Sequence, residues 1–451
     1  MSERKLVVIG GDAAGMSAAS KVRREHKNRE IVVFERGQHT SFSACGMPYM
    51  IAGMVDSPDD LIARKPEVFR EKQNIDVRIR HEVTMIDTAN KRVRVCNLAD
   101  GSEFYEGYDD LLIATGASPV RPDMQGIGSE GVFGLSILQT GIAVFEYIRQ
   151  QNPQKAVIVG GGYIGIEMAE ALLTQDMDVS LIDMAPEVMI TMDPDMGKLI
   201  SEYMREQGVH LYLEEKLDHF RSENGRVTGV VTSKRTLDAD LVILGMGVRP
   251  NSGLAEKAGI ETGENGAIRV NKRMETSAAH IWAAGDCAES FHLISRRQVH
   301  IALGTVANKH GLIAGINISG GNEEFPGVTG TAITKMNGLE IARTGLNEKE
   351  ADEAGIPFES TVIKSKTRSG YFPGSGDITV KLLASKKDNR LLGGQIVGAE
   401  GAAKRIDTIV TAITSGLTAR DLAYMDLAYA PPFSPVWDPV QTAARQLIVA
   451  V

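Results

Sequence analysis

In the stretch HTSFSACGMPYMIAG, residues 39 to 53, Cys45 is followed by Gly46 and Pro48, with no second cysteine nearby. A thiolate is a nucleophile toward sulfur and a redox centre, whereas a lone buried cysteine is a small apolar filler. Pro48 suits the first turn of a helix, so the spacing predicts a helix starting just after Cys45, whose exposed amides would lower the thiol pKa. Cys96, in the alternating segment KRVRVCNL, and Cys287, beside Asp286, read as structural. Three cysteines far apart argue against a disulfide framework and suit a reducing compartment. None stands at metal-ligand spacing from the nine histidines, so no metal is expected.

The elements that must position such a thiol are legible on both sides of it. KLVVIGGDAAGMSAASKVRRE reads as a buried strand, a small-residue turn and a helix, and IVVFE ends a second strand at Glu35. Gly10 and Gly15 permit a tight turn and a close helix contact, the helix N-terminus meets a pyrophosphate, and Glu35 accepts from a ribose hydroxyl. Asp12 stands where a second glycine is usual, so its carboxylate must point away from the phosphates. Taken alone, this stretch also fits an ordinary strand-helix turn.

A second copy, KAVIVGGGYIGIEMAEALL, carries Gly160, Gly162 and Gly165 in full G-x-G-x-x-G spacing, and VSLID ends at Asp183. Two copies in one chain point to two nucleotides held face to face. Asp183 bonds a ribose 2'-hydroxyl but repels a 2'-phosphate, and no arginine follows in DMAPEVM, which favours NADH over NADPH. YDDLLIATGASPVRP (108 to 122), ADLVILGMGVRPN (239 to 251) and ETSAAHIWAAGDCAE (275 to 289) each run from an apolar strand into glycine, as a chain crossing between domains would. Asp286 is either a turn aspartate or an acceptor for a ribitol chain. HIALGTVANKHGLIAGINI reads as a helix of small residues whose N-terminal dipole suits negative charge on a reduced ring.

At 451 residues the chain is expected to form about three domains. With 43% apolar and 24% charged residues it reads as soluble and globular. The net charge of -9 lacks a basic stripe, which argues against nucleic-acid binding. MSERKLVVIGG runs straight into a strand, and no apolar run approaches membrane-spanning length, so a cytoplasmic protein with no membrane partner is expected.

Together these motifs resemble the FAD-dependent pyridine nucleotide-disulfide oxidoreductases over essentially the whole chain. SFSACGMPY, RSGYFPG (368 to 374) and LAYAPPFSPVWDPV (427 to 440) are similar to its single-cysteine branch, most of all coenzyme A-disulfide reductases and NADH oxidases. Two-cysteine members space their cysteines five positions apart; here that position is Met50.

The resemblance implies an α/β fold of two Rossmann-like domains, for FAD and NADH, and a C-terminal α+β dimerisation domain. The FAD domain would cover 1–118 and 249–325, the NADH domain 119–248, and the dimerisation domain 326–451. It implies FAD contacts at Gly10, Gly15, Glu35, Thr115, Gly116, Asp286 and Ala302. Tyr163 would be the ring shielding the flavin until nicotinamide arrives, with Glu167 close by and Gly160, Gly162, Gly165 and Asp183 holding NADH. In a homodimer, Tyr371 and Tyr429 would complete the partner's site beside Cys45.

Ser17, Lys21, Arg24 and Ser41 match positions that hold coenzyme A, while Ala44 and Trp437 depart from the pattern. The implied activity is NAD(P)H-dependent reduction of coenzyme A disulfide or a related small disulfide, persulfide or polysulfide through Cys45. An NADH oxidase or peroxidase is the second reading, although Ala13 replaces the histidine those enzymes carry in the first glycine turn. A flavin-bearing redox sensor is the third. No sulfur-transfer domain is expected after position 451, which would leave that role to another chain.

Overall fold

The computed structural model describes residues 4–448. Leu6–Ile9, buried throughout, is the middle strand of a five-stranded parallel sheet in the spatial order Ile281–Ala283, Asp110–Ile113, Leu6–Ile9, Ile31–Glu35, Asp76–Ile79. The second copy builds the same arrangement, His210–Tyr212, Asp178–Ile182, Lys155–Val159, Leu241–Leu244, Val132–Gly134. The inner strands are largely apolar and buried on both faces, as parallel strands covered by helices must be.

Glycines fix how tightly helix and strand pack. Gly10 sits at φ +110°, and a Cβ on Gly15 would collide with the Gly10 carbonyl oxygen. The second copy repeats this with Gly160 at φ +104° and Gly165 over the Gly160 carbonyl. The helices Ala13–Glu25 and Gly304–Ile318 also touch backbone to backbone, because Gly311 and Gly315 lie against the carbonyls of Ala14 and Ala18.

The chain passes between the two nucleotide units on an antiparallel pair, Ala117–Pro119 with Val248–Pro250. The C-terminal unit is an antiparallel sheet ordered Ala332–Met336, Leu339–Gly345, Leu391–Gly398, Asp377–Ser385, Phe358–Lys366. Its core is completed by Ile406–Thr414 and Pro439–Ile448. The fold is thus mixed α/β with an α+β C-terminal unit. Buried Lys381 pins that unit to the second nucleotide unit, lying 3.0 Å from Asp193, 2.9 Å from Asp195 and 3.0 Å from Glu348.

Candidate active site

Each acid at the end of a second strand turns back to its glycine turn. Glu35 accepts from Gly11 N–H at 2.7 Å and Gly37 N–H at 2.6 Å, and Asp183 from Gly161 N–H at 2.6 Å and Ala185 N–H at 2.8 Å. Carboxylate oxygens accept more than one bond, so both acids keep capacity for a ribose. The helices starting at Ala13, Tyr163 and Gly304 follow Asp12, Gly162 and Leu303, none of which caps them with a side chain. Their first amides are therefore available to an anion. Ala302, half-buried, lies just ahead of the third helix.

Asp286 supplies an independent sign of a bound group: its Oδ1 is buried and has no hydrogen-bond partner. A buried carboxylate oxygen without a donor is costly, and a ribitol hydroxyl would satisfy it. Burial pushes the Asp286 carboxyl up. The loop is set from behind by His310, which is wholly buried, accepts from Gly285 N–H at 3.4 Å and meets Ser290 Oγ at 3.2 Å. Burial drives His310 down to about 4, so it is neutral at neutral pH. With Nδ1 accepting, Nε2 carries the proton to Ser290. The Thr115 hydroxyl donates to Asn251 O at 2.7 Å, and Asn251 returns a bond to Thr115 O at 2.8 Å. With Gly116 at φ +67° it shapes the crossing between units.

Cys45 lies in a single 3-10 turn, Ala44–Gly46, that leads into Met47–Ile51 with Pro48 in its first turn. The helix after Cys45 is where the spacing placed it, but its effect on the thiol is opposite to the expectation. The thiol is pushed up, first by desolvation and then by the charges of Glu167 and Asp286. A five-residue helix accumulates little dipole, and two carboxylates outweigh it. Although Cys45 is exposed on the single chain, the neighbouring protein still removes enough water to matter. Of the other cysteines, Cys287 is buried with its Sγ toward the carbonyls of Ile113 and Ala284, and Cys96 is half-buried on an antiparallel strand.

Glu167 comes from the second nucleotide unit and accepts from Thr334 Oγ1 of the C-terminal sheet at 2.8 Å. Burial raises its carboxyl, and Glu170 adds repulsion. Next to Thr334, Lys335 donates to Glu170 at 2.7 Å and stands 5.9 Å from the ring centroid of Tyr49, one helical turn past Cys45. Burial, then Glu167 and Glu170, push the Tyr49 hydroxyl up. Tyr49, Thr334, Lys335 and His310 were not among the sequence candidates; only the Cys45-to-Tyr49 helical spacing carried a local signal for any of them. Tyr163 packs in the same core as Met47 and Met50, and burial raises its hydroxyl.

The remaining candidates separate. Ser17 Oγ donates to Asn308 at 2.8 Å, in the groove between the two long helices of the first unit. Lys21 is ion-paired with Glu25, so the basic face expected there is partly neutralised, and Arg24 is exposed. Ser41 adopts φ +47° and sits on the glycine turn through Ser41 N–H to Gly11 O, 3.2 Å. Tyr371 (79% exposed) and Tyr429 (47%) lie on loops joined by Ser369 N–H to Pro431 O at 3.2 Å, flanked by exposed Phe433, Val436 and Trp437. Arg405 clamps this corner, donating to Thr367 O at 2.7 Å, Phe433 O at 2.8 Å and Asp438 at 2.9 Å. Among the described residues, no cluster of three or more His, Cys, Asp or Glu side chains could hold a metal, and no helix is long and apolar enough to cross a membrane.

Comparison with known proteins gives the context for this geometry. Residues 4–311 match the model of the pyridine nucleotide-disulphide oxidoreductases, and residues 331–439 match the dimerisation domain of that family. The chain is 42% identical to a NAD(P)H coenzyme A polysulfide/persulfide reductase of Pyrococcus horikoshii, covering 99% of this chain and 98% of the relative. It is 37% identical to an NADH oxidase of Methanocaldococcus jannaschii, covering 98% of each. The structure of a NAD-dependent persulfide reductase from A. fulgidus superposes with a TM-score of 0.96 at 40% identity, covering 99% of this chain and 83% of that one. With both nucleotide turns built and both family regions matched, this chain belongs to the pyridine nucleotide-disulphide oxidoreductases and is an FAD-dependent, NAD(P)H-oxidising enzyme.

Proposed function

We propose that this chain reduces a low-molecular-weight disulfide, persulfide or polysulfide, with coenzyme A disulfide or a coenzyme A persulfide as the leading substrate class, through Cys45. The observation that carries the reading is that the charges acting on Cys45 come one from each nucleotide unit, Asp286 and Glu167. A thiol between a flavin site and a nicotinamide site is where an electron path to sulfur would end. FAD, held by the Gly10 turn, Glu35 and Asp286, would carry two electrons at a time from NADH to sulfur. Asp183 favours NADH over NADPH, because a 2'-phosphate would meet its carboxylate.

Cys45 would attack one sulfur of the substrate as thiolate, forming a mixed disulfide and releasing the other half as thiolate. Two electrons and a proton then release the second half as thiol and restore Cys45, so that one NADH and one proton yield two thiols. One cysteine suffices because the substrate brings the other sulfur. In the homodimer proposed here, Tyr371 or Tyr429 of the partner chain would protonate the leaving thiolate. Ser17, Lys21, Arg24 and Ser41 would bind the nucleotide end of coenzyme A, with Lys21 exchanging Glu25 for phosphate. A reducing, cytoplasmic setting suits the free thiols.

The second reading, an NADH oxidase, draws on the M. jannaschii relative, but Ala13 stands in the first glycine turn where a proton-handling histidine would be expected. Steady-state turnover with NADH and a panel of coenzyme A disulfide, coenzyme A persulfide and polysulfide, under nitrogen and then in air, separates the two. Thiol or sulfide formed under nitrogen at the rate of NADH loss supports the first reading. Turnover only in air, with water as product, supports the second.

A further inference from the structure

The first glycine turn departs from its fingerprint at Asp12, and nothing in nucleotide binding calls for a carboxylate there. The structure shows where that carboxylate goes. Asp12 Oδ1 accepts the backbone N–H of Phe42 at 3.1 Å, and the preceding amide, Ser41 N–H, donates to Gly11 O at 3.2 Å. Two successive amides thus face the same turn. Ser41 allows this by taking φ +47°, a left-handed conformation that a non-glycine residue holds at a cost.

The far side of the segment is fixed as well. Ala63 N–H donates to Ser41 O and Ser43 N–H to Leu61 O, each at 2.8 Å, and Gly46 N–H closes on Ser43 O at 2.9 Å. Leu61 fills the space beside Gly46, where a Cβ would strike it. Residues 41 to 46, Cys45 among them, are therefore held between the 61–63 segment and the nucleotide turn, and on the nucleotide side the side-chain tie is Asp12.

We propose that Asp12 is a positioning residue: it fastens the cysteine-bearing segment to the flavin-binding turn and so sets Cys45 relative to the flavin. The inference rests on Cys45 being the redox thiol. Burial, with added repulsion from Glu35 and Asp286, pushes the Asp12 carboxyl up to about 7 against the pull of the Phe42 amide. A carboxyl neutral for much of the time is one that a phosphate-binding turn tolerates.

The test compares Asp12→Gly, which restores the usual turn and removes the tie, with Asp12→Asn, which keeps an acceptor, both in the flavin-loaded full chain. Three quantities are read: FAD per chain, the rate of Cys45 alkylation by iodoacetamide, and single-turnover rates for flavin reduction by NADH and for thiol release from coenzyme A disulfide. In the glycine variant FAD content and flavin reduction stay at wild-type levels. Cys45 alkylation rises and thiol release falls, each by about fivefold to tenfold, the scale of one buried amide left unpaired. The asparagine variant stays within about twofold of wild type in all three.

A glycine variant unchanged at Cys45 overturns the proposal, as does one that loses FAD, because Asp12 would then act on the nucleotide. An asparagine variant as impaired as glycine also overturns it, since charge would then matter and not the tie. The alkylation rate is independent of turnover. An altered rate in Asp12→Gly together with full turnover in Cys45→Ser would keep the tie and reject the redox role of the thiol.

Discussion

Cys45 sits in a field that its own chain makes unfavourable to a thiolate. Desolvation and the charges of Glu167 and Asp286 all act against ionisation, so stabilisation of the reactive form must come from a group bound beside it. In the flavin-free protein, the midpoint of Cys45 alkylation against pH is expected above the ordinary thiol value. Glu167→Gln, which removes one negative neighbour, lowers that midpoint; no change would place Glu167 too far away to act. His310 gives a second dependence on pH, with its own sign. Its folded value is about 4 against 6.5 for an ordinary histidine, so between those values the unfolded chain binds the extra proton. Stability is then lost as pH falls from 6.5 through 4, by about 3 kcal/mol at most. The proton would also convert Nδ1 from acceptor to donor and break its bond to Gly285. FAD release over that range is the expected sign, and His310→Gln should flatten it. None of this was legible in the sequence, because Glu167 and Asp286 act on Cys45 from distant segments of the chain, and His310 meets Gly285 and Ser290 only once its helix has folded back on their loop. The identity of Cys45 as the chemical candidate was legible, since the residues around it carry a pattern.

At the scale of elements, the strands and turns follow from local rules, and the two glycine fingerprints with their acids were readable for that reason. The helix Gly304–Ile318 shows what composition does and does not tell. Its small residues were legible but their purpose was not: the structure packs them against Ala13–Glu25, with Gly311 against Ala14 O. Gly311→Val would force those backbones apart and is expected to destabilise the chain by about 1–3 kcal/mol. It should also weaken FAD retention, because both helices begin at the end of the sheet where the Gly10 turn and Asp286 are proposed to hold FAD. Denaturant titration with released-flavin fluorescence checks both; a variant as stable as wild type would contradict the packing described. Lys381 and its three carboxylates had no local signal: they join residues from three separate segments, and only the fold brings them together.

For the whole molecule, the aromatic corner of the C-terminal unit is the feature that one chain leaves unexplained. Tyr371, Phe433 and Val436 are mostly exposed, beside Tyr429 and Trp437, on a unit that matches a dimerisation domain. Mixing inactive Cys45→Ser chains with chains carrying both Tyr371→Phe and Tyr429→Phe tests whether these tyrosines act across subunits. If each site draws Cys45 and the tyrosines from different chains, random mixed dimers recover about a quarter of wild-type turnover. Sites built within one chain recover none.

The most direct measurement of the central claim, that electrons leave the flavin through Cys45, is anaerobic rapid mixing of flavin-loaded Cys45→Ser with NADH and excess coenzyme A disulfide. Bleaching of the flavin by NADH is expected at the wild-type rate, while thiol release falls by more than about a hundredfold. Thiol release at the wild-type rate from the serine variant would contradict the account.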